Sequence, residues 1–220
     1  RDRCRYMWFS YLFAGGEMML DFENNDWWAA VTTPYDNTTE WATEEDKEIL
    51  KEGQLDFVSF SYYRSNTVKK DDPWFNVGGS SNPYLENTPW GWPVDPLGLR
   101  HCMNEIYDRI QKPIFIVENG MGAIDQADEN GYVEDDYRID YYRPHIEAMS
   151  AACDNGVDLI AYTTWGCIDL VSAGTGEMKK RYGFVYVDLD DLGKGSLKRI
   201  KKDSFYWYKK VCESNGEDLK

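Results

Sequence analysis

The chain has 220 residues, of which 42% are hydrophobic and 15% aromatic, and this composition excludes a disordered chain. Its 39 acidic and 24 basic residues give a formal net charge of −15, which disfavours a role in binding nucleic acid or a membrane surface. The charge is uneven, because residues 179–220 hold 11 basic and 7 acidic residues. We therefore expect one folded domain with a site for an anion near its C-terminus.

The cysteines and histidines argue against disulfide and metal chemistry. The five cysteines are widely spaced without a Cys-x-x-Cys pair, and only two histidines are present. This pattern predicts reduced thiols, a cytoplasmic location, no bound metal and no cofactor. The sequence also has no apolar run of about 18 residues, the length that a membrane span requires.

The first part of the chain is the least regular. Residues 1–42 are aromatic without a clear period, and a short helix is predicted over Thr43–Leu50, with Thr43 as its cap. The β-branched and aromatic run Leu55–Tyr63 predicts a strand. A long loop rich in glycine and proline follows, and such loops usually carry function.

The remainder alternates between helices and strands. The predicted elements are a helix over Pro96–Ile110, a strand over Ile114–Val117, a helix from Asp135–Asp136 to Asn155–Gly156, a strand over Val157–Trp165 and a helix over Ser204–Cys212. The strand Ile114–Val117 is typical of a parallel strand buried on both faces, and Pro144 predicts a kink in its helix. Strand, loop and helix thus occur three times, which indicates a (β/α) barrel or a doubly wound sheet.

Three predicted strand ends carry the groups that a (β/α) barrel would use for function. They are Ser61–Tyr63, Glu118–Gly120 and Thr164–Gly166. Glu118 is the most suggestive, because a carboxylate at the mouth of a dry barrel can act as a nucleophile or a base. Its position alone leaves open the alternative that Glu118 is a solvated residue opening an Asn-Gly turn.

The stretch Lys112–Gly120 resembles the nucleophile signature of glycoside hydrolase family 1, and Ala161–Gly183 resembles the phospho-β-glucosidase branch of that family. The resemblance extends from about Thr43 to the C-terminus. It implies an α/β fold, the C-terminal part of a (β/α)8 TIM barrel that is incomplete in this chain. Residues 1–220 would form a single partial barrel domain in which residues 1–42 match the family poorly. The implied activity is the retaining hydrolysis of 6-phospho-β-glycosides through a covalent glycosyl-enzyme.

Carried over by position, the resemblance makes Glu118 the nucleophile and Tyr63 the hydroxyl donor that keeps it ionised. Trp165 corresponds to the tryptophan beneath the reacting sugar, and Trp92 to an aromatic residue on the aglycone side. Ser61 stands where many family members have asparagine. For Tyr63 and Trp165, ordinary core packing is the alternative that their residue types favour.

A loop near the C-terminus carries the expectation of a phosphate site. Family members that act on unphosphorylated sugars have a Glu-Trp pair where this chain has Ser172–Ala173. The resemblance assigns the phosphate to Ser172, Lys180 and Tyr182, since losing a carboxylate while keeping a cation and a hydroxyl suits a dianion. Lys179 is an alternative to Lys180, and a basic surface loop without a ligand is the other interpretation.

The acid/base carboxylate of the family lies in a Thr-x-Asn-Glu-Pro stretch that this sequence lacks. The pair Asn104–Glu105 falls inside a predicted helix and is rejected as the acid. We therefore expect a phosphorylated β-glycoside as the ligand and little or no turnover by this chain alone. The alternatives are completion by a separate N-terminal half, a homo-oligomer that covers the open strand edges, and a catalytically incomplete phospho-sugar-binding or structural fragment. Residues that separate glucosides from galactosides are expected largely in strands that this chain lacks.

Overall fold

The fold is known from a computed structural model, which describes residue 45, residues 55–67 and residues 82–220. The predicted helix over Thr43–Leu50 lies outside these residues except for Glu45, which is helical. The expectations for residues 1–42 lie outside them altogether, as does the central part of the long loop.

Within the described residues, five strands and three helices follow one another along the chain. They are β1 (Val58–Ser61), α1 (Pro96–Ile110), β2 (Ile114–Glu118), α2 (Asp136–Asp154), β3 (Leu159–Tyr162), β4 (Val185–Val187), β5 (Arg199–Lys201) and α3 (Asp203–Glu213). The predicted strands and helices of this part are confirmed, and α1 has the predicted bounds. Strands β1 and β3 are shorter than predicted, because their flanking residues do not continue the ladder. The antiparallel pair β4–β5 was not predicted.

Strands β1, β2 and β3 form a parallel sheet in that order. Val58 lies beside Ile114, and Ile114 lies beside Leu159. Helix α1 connects β1 to β2 and α2 connects β2 to β3, which is the crossover that parallel neighbours require. All three strands therefore present their carboxyl ends at the same edge, where the candidate site residues follow them.

The core lies between this sheet and the helices α1 and α2. Val58, Ile114 and Ile116 are fully buried on the helix side. The helices contribute the buried side chains Leu99, Met103, Ile106, Tyr141, Tyr142, Ile146 and Met149. Phe115 and Val117, which alternate with the buried residues of β2, are only partly buried. Within the described residues, β2 is thus fully buried on one face and only partly buried on the other, so the expected burial on both faces is seen in part. Pro144 lies inside α2, and the kink there stays a prediction.

A capping residue ties the end of β1 to the start of α1. The Asp95 side chain accepts a hydrogen bond from the backbone N–H of Gly98 at 2.9 Å, and Pro96 occupies the first turn. The Asp95 carbonyl accepts a hydrogen bond from the Tyr62 hydroxyl at 2.8 Å. A Cβ atom at Gly98 would lie 2.3 Å from that hydroxyl oxygen, so only glycine allows this approach.

Arg138, near the start of α2, is the centre of a buried ion network. Its guanidinium binds both carboxylate oxygens of Asp125, at 2.8 and 3.0 Å, and Asp135 at 3.0 Å. It also donates to the carbonyl of Tyr182 at 3.3 Å. Asp135 in turn accepts hydrogen bonds from the backbone N–H and the hydroxyl of Ser204 at the start of α3. The loop after β2 is therefore joined to both α2 and α3.

Lys202 extends the same network to the loop after β3. Its ammonium contacts Asp125, donates to Asp169 at 2.8 Å and donates to the carbonyl of Gly183 at 2.5 Å. Asp169 also binds Arg181 at 3.1 Å and the backbone N–H of Gly183 at 2.9 Å. The network thus contains three acidic and three basic side chains, and it fixes both ends of the loop 169–183.

We predict that Lys202→Met lowers the free energy of unfolding by about 3–5 kcal/mol, because Asp125 and Asp169 each lose one of two buried cationic partners and the network keeps an uncompensated negative charge. The matched control is Lys209→Met, whose exposed ion pair with Glu213 is worth at most about 1 kcal/mol. Urea unfolding followed by circular dichroism measures both variants. Equal destabilisation by the two substitutions would contradict a stabilising network at Lys202.

Candidate active site

Glu118 and Tyr63 form a hydrogen-bonded pair at the carboxyl edge of the parallel sheet. Glu118 is the last residue of β2, and Tyr63 follows the end of β1. The Tyr63 hydroxyl donates a hydrogen bond of 2.8 Å to Oε2 of Glu118. Between the two strand ends, the backbone N–H of Tyr62 donates to the Glu118 carbonyl at 2.8 Å. The two side chains that the sequence analysis paired are therefore brought together.

The environment of Tyr63 keeps its hydroxyl protonated. Burial, and then the hydrogen bond to the Glu118 carboxylate, raises the pKa of Tyr63 well above its ordinary value. A neutral hydroxyl next to a carboxylate acts as a hydrogen-bond donor. Tyr63 therefore orients one oxygen of Glu118 throughout the neutral pH range.

Trp165 lies beyond the end of β3, next to the loop that follows Glu118. Its backbone N–H donates to the carbonyl of Asn119 at 2.8 Å, and the Trp165–Gly166 peptide bond is cis. A Cβ atom at Gly120 would lie 2.2 Å from the Trp165 carbonyl oxygen, so the close approach of the two loops requires glycine there. Trp165 is partly buried at the same edge as Glu118.

Lys180 is a buried cation surrounded by aromatic rings. Lys180 is only 3% exposed. Its ammonium nitrogen lies 4.2 Å from the ring centre of Trp92, 5.3 Å from that of Trp90 and 5.6 Å from that of Tyr182. Aromatic faces attract a cation, but they do not neutralise its charge. Among residues 55–67 and 82–220, no carboxylate lies within ion-pair distance of this ammonium. A Cβ atom at Gly122 would lie 2.6 Å from Cε of Lys180, so glycine makes room for its stem.

The other predicted phosphate residues lie in the same loop as Lys180. Ser172 and Tyr182 are 2% and 4% exposed. The backbone N–H of Ser172 donates a hydrogen bond of 3.0 Å to the carbonyl of Glu177, which closes a turn. Lys179, the alternative to Lys180, is exposed and forms an ion pair with Glu177 at 2.6 Å. Of the two lysines, only Lys180 is both buried and without a carboxylate partner in the described structure.

Trp92 connects the two parts of the candidate site. Its ring lies 5.6 Å from the ring of Tyr63 in an edge-to-face arrangement, and the Lys180 ammonium lies above it. The guanidinium carbon of Arg64 lies 5.0 Å from the same ring. The aglycone role expected for Trp92 stays a prediction, whereas its contacts place it between Tyr63 and Lys180.

Asn119, Arg64 and the buried ion network were not predicted from the sequence as parts of the site. Asn119 is fully buried and directly follows Glu118. One signal for the network is in the sequence: Arg138 lies at helical spacing from Tyr142, Ile146 and Met149, so a charged residue falls on the apolar face of α2. A charge at such a position requires a buried partner.

The described part of the chain contains neither a metal-ligating cluster nor a helix suited to a membrane. Its His, Cys, Asp and Glu side chains include no group of three or more that could hold a metal ion. None of its helices has the length and hydropathy of a membrane span.

Comparison with known proteins identifies relatives of this chain. The family model for glycosyl hydrolase family 1 matches residues 17–217, so the match begins within the segment that the sequence analysis aligned poorly. The chain is 58% identical over 183 residues to the 6-phospho-beta-glucosidase AscB of Escherichia coli (strain K12), an alignment covering 79% of this chain and 38% of that protein. It is 54% identical to the aryl-phospho-beta-D-glucosidase BglA of Bacillus subtilis (strain 168), again covering 79% and 38%. The chain spans about two fifths of the length of these relatives.

Solved structures with the same fold come from Thermotoga maritima. A beta-glucosidase in complex with noeuromycin has a TM-score of 0.69 and 30% identity, covering 95% of this chain and 44% of that chain. A family 1 b-glucosidase has a TM-score of 0.68 and 34% identity, covering 82% and 40%. The chain therefore belongs to glycosyl hydrolase family 1, and its described residues form part of an incomplete (β/α)8 barrel.

Proposed function

We propose that this chain carries the nucleophile and the phosphate-binding residues of a retaining 6-phospho-β-glucosidase. The supporting observation is a buried ammonium group without a carboxylate partner, Lys180, separated by the single ring of Trp92 from Tyr63 and its bond to Glu118. A ligand with an anion at one end and a glycosidic bond at the other suits this arrangement. The names of the two curated relatives, a 6-phospho-beta-glucosidase and an aryl-phospho-beta-D-glucosidase, favour the same ligand class.

Glu118 is the proposed nucleophile. A carboxylate oxygen forms a bond to the anomeric carbon while the bond from that carbon to the leaving oxygen breaks, and the electron pair departs with the aglycone. Water then gives up a proton to the acid/base group as its oxygen bonds to the anomeric carbon of the glycosyl-enzyme, and the bond to Glu118 breaks, so that the carboxylate is freed and the sugar is released with its original configuration. Tyr63 holds Oε2 during these steps and leaves Oε1 for the attack.

The acid/base step is proposed to depend on a group from outside this chain. A retaining glycosidase needs a second carboxyl group about 5–5.5 Å from the nucleophile to protonate the leaving oxygen. The Thr-x-Asn-Glu-Pro stretch expected to supply it does not occur in the sequence. Substrates whose leaving group departs without a proton avoid this requirement, so they test Glu118 with this chain alone.

Lys180, Tyr182 and Ser172 are the proposed phosphate ligands. Burial of an ammonium group without a counterion is costly, and a bound phosphate dianion would supply the missing charge. The two hydroxyl groups provide hydrogen-bond donors for the remaining phosphate oxygens. The absence of a carboxylate at position 172 removes a repulsion that would act on the dianion.

The proposed compartment is the cytoplasm. Cys153, Cys167 and Cys212 form no disulfide bond within the described residues. Thiols persist in reducing compartments, whereas extracellular proteins usually oxidise them. The proposed substrate, a phosphorylated β-glycoside, would then bind to the site inside the cell.

For the nucleophile, we predict that 2,4-dinitrophenyl 2-deoxy-2-fluoro-6-phospho-β-glucoside labels the chain with one 6-phospho-fluoroglucosyl group. Its leaving group departs without a proton, and the fluorine slows hydrolysis of the adduct. Intact-protein mass spectrometry and peptide mapping are expected to place the label on Glu118. Glu118→Gln is expected to abolish labelling, because the amide is not a nucleophile.

The control for this experiment is Glu105→Gln, which changes the rejected Asn-Glu pair in α1 in the same way. It is expected to leave the labelling unchanged. Labelling of the Glu118→Gln variant at the rate of the unaltered chain would contradict the proposed nucleophile.

For the phosphate site, we predict that Lys180→Met weakens the binding of glucose 6-phosphate by about tenfold to a hundredfold, the loss expected when a charge-assisted hydrogen bond worth about 1.5–3 kcal/mol is removed. Isothermal titration calorimetry at low ionic strength measures the affinity. Lys179→Met is the matched control, and it is expected to bind normally because Lys179 is exposed and paired with Glu177. The reverse ranking of the two variants would refute the assignment to Lys180.

A second candidate function is phospho-sugar binding without catalysis, which is favoured by the lack of an acid/base motif in the sequence. We predict that Ser172→Glu abolishes glucose 6-phosphate binding through repulsion of the dianion, while Glu118→Gln leaves it intact. If the unaltered chain also resists labelling by the fluoro-glycoside, calorimetry and mass spectrometry together would assign the chain to this binding function. Retained affinity in Ser172→Glu would exclude Ser172 from the phosphate site under either function.

A further inference from the structure

We infer that Asn119, the residue after Glu118, is a positioning residue that holds Tyr63 and Glu118 at hydrogen-bond distance. The inference rests on the proposed role of Glu118 and adds the device that sets its geometry. The side chain of Asn119 forms its hydrogen bonds with Tyr62, Tyr141 and Tyr162 rather than with the Tyr63 hydroxyl or the Glu118 carboxylate. It holds the backbone next to Tyr63 through the Tyr62 carbonyl, and it holds the third strand through the Tyr162 hydroxyl.

The amide group of Asn119 joins three different elements. Its nitrogen donates to the carbonyl of Tyr62 at 2.8 Å and to the hydroxyl of Tyr141 in α2 at 3.0 Å. Its oxygen accepts a hydrogen bond of 2.8 Å from the hydroxyl of Tyr162 at the end of β3. The side chain is fully buried, so these bonds do not compete with water.

This amide lies where the strand ladder is irregular. The register between β1 and β2 shifts between Phe60 and Ser61, immediately before the residues that form the site. Beyond the shift, the backbone bond from Tyr62 to Glu118 is supplemented by the side-chain bond from Asn119 to Tyr62. Tyr62 precedes Tyr63 and Asn119 follows Glu118, so this bond connects the backbone on both sides of the catalytic pair.

Asn119 also links the pair to the third strand. Its carbonyl accepts the backbone N–H of Trp165 at 2.8 Å, while its side chain holds Tyr162. The position requires a side chain that donates two hydrogen bonds and accepts one, and the short asparagine amide does both. Aspartate would keep the acceptor but lose both donors, and it would place a carboxylate against the Tyr62 carbonyl.

The first test is the rate of labelling by the dinitrophenyl fluoro-glycoside. Asn119→Ala is expected to label about tenfold to a hundredfold more slowly, since a misplacement of about 1 Å can cost about a hundredfold in rate. Its affinity for glucose 6-phosphate is expected to be unchanged, because Lys180, Ser172 and Tyr182 lie in another loop. A general loss of structure would lower both quantities together. Labelling at the unaltered rate would overturn the inference.

Tyr162→Phe is the second variant, because it removes one hydroxyl and keeps the ring. It is expected to slow labelling in the same direction as Asn119→Ala, by a smaller factor. Tyr206→Phe is the matched control, since Tyr206 is exposed on α3 and is not among the hydrogen-bond partners of the Asn119 side chain. Equal rates for Tyr162→Phe and Tyr206→Phe would count against the positioning role.

The second test does not depend on activity. In a chain labelled with ¹³Cζ-tyrosine, the resonance of Tyr63, assigned through Tyr63→Phe, reports the hydrogen bond to Glu118. Asn119→Ala is expected to move this resonance toward its position in Glu118→Ala, where the acceptor is missing, and Tyr206→Phe is expected to leave it in place. If the unaltered chain is not labelled by the fluoro-glycoside, the proposed nucleophile fails, and the Tyr63 resonance alone decides the inference. An unmoved resonance in Asn119→Ala refutes the positioning role.

Discussion

Buried charge compensation is the constraint on which the described part of this chain depends. Arg138 and Lys202 are fully buried, and each can remain charged only because carboxylates of Asp125, Asp135 and Asp169 surround them. These partners come from the loop after β2, the start of α2 and the loop after β3. Folding therefore has to bring all three regions together to avoid an isolated buried charge.

The same constraint gives two neighbouring basic residues different roles. The charge of Arg181 is compensated by Asp169, and its guanidinium also donates to the carbonyls of Val187 and Leu189. Lys180 lies among aromatic rings, which attract the cation without cancelling its charge. The network therefore holds the loop from one side and leaves the ammonium on the other side available for an anion. This contrast would reconcile the proposed phosphate site with the net charge of −15.

The proposed catalytic pair, Glu118 and Tyr63, depends on the parallel sheet for its geometry. Parallel order places the ends of β1, β2 and β3 at one edge, but the shift in the β1–β2 register weakens the ladder just before Tyr63 and Glu118. The buried amide of Asn119 supplies bonds to both neighbouring strand ends at this point. Backbone topology thus sets which residues meet, and side-chain hydrogen bonding sets their separation.

The sequence by itself determined the elements and the residues at the strand ends, because hydrophobic period, caps and turns are local properties. It therefore predicted α1, α2, α3 and the three parallel strands, and it singled out Glu118 and Tyr63 through the family motif. The family motif favoured Lys180 over Lys179 by position, but only the tertiary structure revealed that Lys180 is buried while Lys179 is exposed and paired with Glu177. It alone also revealed the ion network, whose partners lie up to 77 residues apart in the chain. The helical spacing of Arg138 indicates that it needs a buried partner, but packing decides which carboxylates those partners are, and no local pattern identifies them.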